Sequence, residues 1–275
     1  MKFDMGQAWS QAIAMLASNR DLISIVAGVF FFLPYLAVTL MVPDMSSELP
    51  AQQAGADPQA MLDAMTAVYA RVWPYLLIVV ILQGVGSLAL LALLRDTTRP
   101  TLGEALKLGL VAFLPYIAAQ LIVGAAIGIV AALLAGGAMA ISAVIGFLVL
   151  VVILAVAAYV VVRVSLVMPV ISIERIYRPV AALARSWRLT KGNSVRLLFF
   201  YFLIVVAGMI VMLVIQMVLG LIFALFGPEG QVIGNGIVSS LLNAAWVTIF
   251  LAVLAATHHQ LAGGENRSQT PLPPR

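Results

Sequence analysis

His258 and His259 are the only imidazoles in the chain, and cysteine is absent. Disulfides, thiolate metal sites and cysteine nucleophiles are thereby excluded, and a zinc centre built on the two histidines would need further ligands that no neighbouring residue supplies. The histidine pair is therefore expected to be interfacial. Acid–base catalysis by paired carboxylates fares no better, because Asp44, Glu48, Asp57 and Asp63 fall in a polar segment that reads as solvated. The glycines of GVGS at 84–87 lie inside an apolar run, without the strand-loop-helix context of a phosphate loop. No catalytic residue, cofactor or metal is assigned, and the chain is expected not to be an enzyme.

The chemistry that remains is electrostatic. Residues 163–196 carry seven basic side chains and a single acid, Glu174. Arg175, Arg178, Arg185, Arg188, Lys191 and Arg196 are candidate contacts for anionic lipid headgroups, each worth about 1 kcal/mol near a charged leaflet, with Trp187 as an aromatic anchor. Such a loop can equally be a topology determinant, because cytoplasmic loops collect Lys and Arg in any case. Nucleic acid is not an expected partner for a patch this close to a membrane.

The elements that hold these residues follow from composition. Of 275 residues, 63% are hydrophobic and 9% are charged, against roughly 25% charged in ordinary globular chains. A soluble domain is excluded. A hydrocarbon core about 30 Å thick requires around 20 apolar residues per helix, and six runs of that kind occur, at 22–42, 72–94, 108–135, 138–162, 197–226 and 237–261. The split between the third and fourth is placed at Gly136-Gly137, and GPEGQVIGNG is read as a turn before the sixth. The fold class is an all-α integral membrane protein, with one six-helix domain over 1–261 and a disordered cytoplasmic tail over 262–275. The first run is too long, and lacks the small-residue cleavage site, for a signal peptide.

Sorting charges over alternating loops puts fourteen basic and six acidic residues on one side, +8 in net, against one basic and five acidic on the other, −4 in net. That asymmetry predicts both termini in the cytoplasm, and in a bacterium the inner membrane. Two amphipathic helices are expected to lie on the cytoplasmic leaflet. One occupies 1–19, with Met5, Trp9, Ala12, Ile13 and Leu16 on a single face. The other occupies 179–192, with Val180, Leu183, Ala184 and Trp187 on one face and Gly192 as its C-cap. Thr101 and Glu104 have the spacing of a capping box ahead of the third span, and Asp57-Pro58 marks a helix start running into the second.

No charged residue falls near the centre of any span, which argues against ion-coupled transport, since such a charge costs about 2.5–3.5 kcal/mol on insertion scales. Gln83, Gln120, Gln216 and Asn243 read mainly as inter-helix hydrogen-bonding groups; an alternative is a path through a transporter or flippase for an amphipathic solute. Gly124, Gly128, Ala132 and Gly136 form a small-residue stripe suited to helix packing, within the chain or in a homodimer.

The run RVSLVMPVISIERIYRPVAALARSWRLTKGN has an arginine leaving the fourth helix, a proline-and-glutamate stretch, and an Ala-rich helix ending in Ser-Trp-x-Leu-Thr-x-Gly. It resembles the signature of the six-helix membrane domain found at the front of some bacterial glycerophosphodiester phosphodiesterases and of its stand-alone relatives. The matching residues are Arg163, Pro169, Glu174, Ala182, Ser186, Trp187, Leu189, Thr190 and Gly192; FDMGQAWSQAIAMLASN and PTLGEALKLG are similar to the family's inter-helix segments. In the fused enzymes a separate soluble barrel performs catalysis, and that barrel is expected to be missing here. The resemblance thus implies a non-catalytic membrane module that binds or organises lipids or protein partners.

Overall fold

The computed structural model describes residues 2–41, 58–94 and 100–269. Among them every regular element is a helix, and six helices are long and apolar enough to cross a bilayer: Arg20–Leu40, Met61–Leu93, Leu102–Ile141, Ala143–Ile173, Ser194–Ala224 and Gly227–Gly263. The chain is an all-α multi-pass membrane protein. The Asp57 cap, Arg95, Arg99 and the tail beyond Gln269 lie outside the described residues.

Side chains cap two helices at their N-termini. Asp4 accepts from the Gln7 backbone N–H at 2.9 Å and starts the helix Met5–Ser18. Thr101 and Glu104 satisfy each other's backbone N–H groups and start Leu102–Ile141. The first span carries a π-helical turn over Ala27–Phe32 immediately ahead of Pro34. Proline has no N–H to give and its ring crowds the carbonyl four residues back, so a widened turn at that point is physically apt.

Two boundaries differ from the sequence expectation. The third span does not stop at Gly136-Gly137 but runs to Ile141, and the chain breaks at Ser142, whose backbone is extended. In a bilayer a helix keeps its backbone hydrogen bonds at any cost in propensity, so two glycines do not end it. Gly146 makes the reversal possible, since any Cβ there would collide with Met139. The segment GPEGQVIGNG is likewise helix rather than turn. Gly227, at φ 78°, carries the reversal by itself; Pro228 and Glu229 then occupy the first turn of the helix Gly227–Gln269. That helix also continues past 261, so 262–269 are helical.

The second and sixth spans are central, with 50% and 44% of their apolar windows buried against 6% for the third. Their buried stretches, Leu88 to Leu94 and Leu251 to Ala256, meet the short buried helix Val167–Ile173 at one end of the bundle. Hydrogen bonds knit that end together: Ser172 Oγ donates to the Leu88 carbonyl at 2.7 Å, and the Phe3 N–H to Asn193 Oδ1 at 2.9 Å. Toward the other end the third, fourth and fifth spans present exposed apolar side chains, as a surface solvated by lipid requires.

Candidate functional site

The basic loop lies at the knitted end, and its shape begins with the chain leaving the fourth span. Val167–Ile173 turns back into the core, burying Val167, Val170 and Ile171. Arg175, at φ 57°, then reverses the chain through the left-handed region, a conformation costing a non-glycine residue about 1 kcal/mol. The loop helix Pro179–Leu189 follows, with proline in its first turn, and ends before a turn in which Gly192 takes φ 82°. The cap is Thr190 rather than Gly192, and Gly192 supplies the left-handed residue two positions beyond it.

Two clusters hold this loop in place. In the first, Glu174 accepts from Arg185 Nε at 2.9 Å and pairs with His258 Nε2 at 2.8 Å. Burial opposes ionisation of Glu174, but the hydrogen bonds and charges of His258 and Arg185 outweigh it and hold the carboxyl below the usual carboxylate range. One carboxylate thereby joins the start of the loop, the loop helix and the sixth span.

The second cluster centres on Arg163, which is only 5% exposed. Its backbone carbonyl accepts from Ser186 Oγ at 2.9 Å and Thr190 Oγ1 at 3.2 Å, both fully buried. Its guanidinium stands 4.3 Å from the centre of the Trp187 ring, with a donor toward Ser194 Oγ at 3.3 Å. Trp187 in turn meets Tyr159 edge-on. Most of the quoted loop residues therefore fall in these two clusters: Glu174 in the first, Arg163, Ser186, Trp187 and Thr190 in the second, with Ala182 and Leu189 in the core beneath and Gly192 in the turn that follows.

The candidate lipid contacts divide accordingly. Arg175, Arg178, Arg188, Lys191 and Arg196 are exposed, and no ion-pair partner engages them among the described residues. Arg185 differs from them: its guanidinium pairs with Glu174 and the side chain is 18% exposed. Trp187 is 39% exposed and covers Arg163 with its ring. His258 is a correction, being 5% exposed and bonded to Glu174 rather than interfacial. Neither Glu174 nor the burial of Arg163 was evident from local spacing, since their partners lie in distant segments; the loop signature that contains both was the available signal.

Among the described residues nothing packs against the glycines of the small-residue stripe. A Cβ built on Gly124, Gly128 or Gly136 meets no described atom within 4 Å, so the stripe faces outward. Three of the four polar residues offered as a transport path have hydrogen-bond partners among the described residues. Gln120 donates to the Tyr116 hydroxyl, Gln216 to Asn235, and Asn243 to the Phe31 carbonyl, and none of the four, Gln83 included, lines either of the two large apolar cavities. Comparison with family models, with curated proteins and with solved structures finds no match to this chain.

Proposed function

We propose that the chain is a non-catalytic module of the bacterial inner membrane, akin to the membrane domain of glycerophosphodiester phosphodiesterases, with both termini cytoplasmic, that binds anionic lipids through its basic loop. The observation that carries this reading is the division of the loop's charges. Glu174 and His258 take up Arg185 alone, while Arg175, Arg178, Arg188, Lys191 and Arg196 stay exposed on a scaffold fixed by buried hydrogen bonds. Preorganised cations lose little freedom when they meet a charged surface.

The test compares spin-labelled phosphatidylglycerol with phosphatidylcholine at the protein surface in vesicles. Selectivity for the anionic lipid is expected, falling with added salt and falling again in the variant with Arg175, Arg178, Arg188, Lys191 and Arg196 changed to Gln. Equal selectivity in the two proteins would overturn the reading.

A further inference from the structure

A cavity of about 590 Å³ lies between the third and fourth spans, roofed by the loop helix. Its lining runs from Ile122 to Leu134 on one span and from Val152 to Val164 on the other, and it is closed at the top by Val180 and Trp187. A dozen residues at 1.5 Å each give about 18 Å of depth, close to the roughly 15 Å of one leaflet's hydrocarbon. Val130, Leu134, Val152 and Val156 are half exposed or more, so the cavity is a groove open at the side. Enclosing a helix about 10 Å wide over that depth would take on the order of 1,400 Å³. The groove suits methylene chains instead. A second copy docking through small residues would not occupy it, because Gly124, Gly128 and Ala132 project from the opposite side of the third span by helical geometry.

Behind the closed end of the groove, under the Trp187 ring, lies a buried cation. Arg163 follows Val156 by seven residues and Val160 by three, which places it on the groove-lining face of the fourth span. Its Nε finds no hydrogen-bond partner, and no carboxylate lies within 4 Å among the described residues. Buried charges are ordinarily paired, so a counter-anion is what this position lacks. Arg188, exposed and next to Trp187, adds a second cation at the same end.

Resting on the anionic-lipid reading above, we infer that this groove is a discrete site for one anionic diacyl glycerophospholipid drawn from the leaflet at the basic end. An acyl chain fills the apolar channel, and the phosphodiester faces Arg163 and Arg188 across the edge of Trp187. Such a lipid is bound one per chain, and its tail is held as well as its headgroup.

The chain has no cysteine, so Val130→Cys offers a single labelling position inside the groove. With a fluorophore there, a phosphatidylglycerol carrying brominated chains is expected to quench at about one thirtieth of the mole fraction needed by brominated phosphatidylcholine, corresponding to the selectivity of two cations. Adding Arg163→Gln and Arg188→Gln brings the two lipids to parity. Native mass spectrometry of the unlabelled protein should find a single retained phosphatidylglycerol, lost when Ala126→Phe and Ala157→Phe fill the groove. The label itself takes up part of the groove, so native mass spectrometry of the unlabelled parent beside its Arg163→Gln, Arg188→Gln variant, which should lose the retained lipid, carries the result where the filled variant fails to fold. Equal quenching by the two lipids at residue 130, beside salt-sensitive selectivity at the surface, overturns the groove and leaves the loop reading intact. Equal behaviour of the two lipids in both experiments overturns both.

Discussion

Glu174 and His258 stand 84 positions apart in the chain and 2.8 Å apart in space. The same carboxylate accepts from Arg185, so one side chain sets where the loop helix sits relative to the sixth span. Replacing it by Gln keeps the shape and removes the charge that two donors share. Glu174→Gln is expected to cost about 2 kcal/mol, the scale of hydrogen bonds to a charged group, seen as a lowered melting temperature in detergent. Glu229→Gln, at the opposite end of the bundle, serves as the comparison and should change little. Equal melting of Glu174→Gln and the parent would show that the pair holds nothing.

The pH dependence has a definite sign. The folded state holds the Glu174 carboxyl below its ordinary range, so folding favours the ionised form. Its contribution is present above the unfolded value, about 4.3 for glutamate, and is lost as pH falls through the lower folded value. The gap in melting temperature between the parent and Glu174→Gln should therefore narrow as pH drops below about 4.3. A gap that widens there would reverse the assignment.

Ser186 and Thr190 both donate to the Arg163 carbonyl, at the point where the fourth span hands over to the loop. Each hydroxyl is fully buried, and each deletion, Ser186→Ala or Thr190→Val, should cost about 1 kcal/mol. The double variant should cost less than the sum, because the two bonds share an acceptor and Thr190 also donates to the Ser186 carbonyl. A double-mutant cycle by thermal melting reads the coupling directly, and strict additivity would mean that the two act independently.

What could be read from residues alone was whatever is local. Span positions come from counting apolar runs, and the capping box comes from two residues three apart. The pairing of Glu174 with His258 is of another kind. Neither residue's neighbours in sequence mark it, and only the packing of the short helix Val167–Ile173 against the sixth span brings them together. Arg185 shows the same limit, since its spacing matches that of Arg178 and Arg188 while its partner is set by tertiary structure. Gly136-Gly137 was misleading for a different reason: rules for breaking helices are calibrated in water, and a lipid solvent enforces backbone hydrogen bonding over propensity.

Gly192 tests the turn that ends the loop helix. At φ 82°, with open space around an added Cβ, substitution by Ala meets only the backbone penalty of the left-handed region, about 1 kcal/mol. Gly192→Asn should cost less, because asparagine tolerates that region. Melting temperatures ordered Gly, Asn, Ala from highest to lowest are expected; an alanine variant as stable as the parent would mean that the turn relaxes to another conformation.

Two groups of glycines within spans should respond in opposite directions. A Cβ on Gly208 collides with the Trp246 ring, which is itself stacked on Phe250, so Gly208→Ala must shift a packed aromatic pair at about 1–3 kcal/mol. Gly124 and Gly128 face no described atom of this chain. Alanine there brings better helix propensity, about 1 kcal/mol per site in water, and meets no clash. In detergent dilute enough to keep the chain monomeric, Gly124→Ala with Gly128→Ala should melt at or above the parent temperature and Gly208→Ala clearly below it. If the stripe variant instead loses stability at that dilution, those glycines pack inside the chain after all; if it loses stability only at concentrations where the parent forms dimers, the stripe is the dimer face.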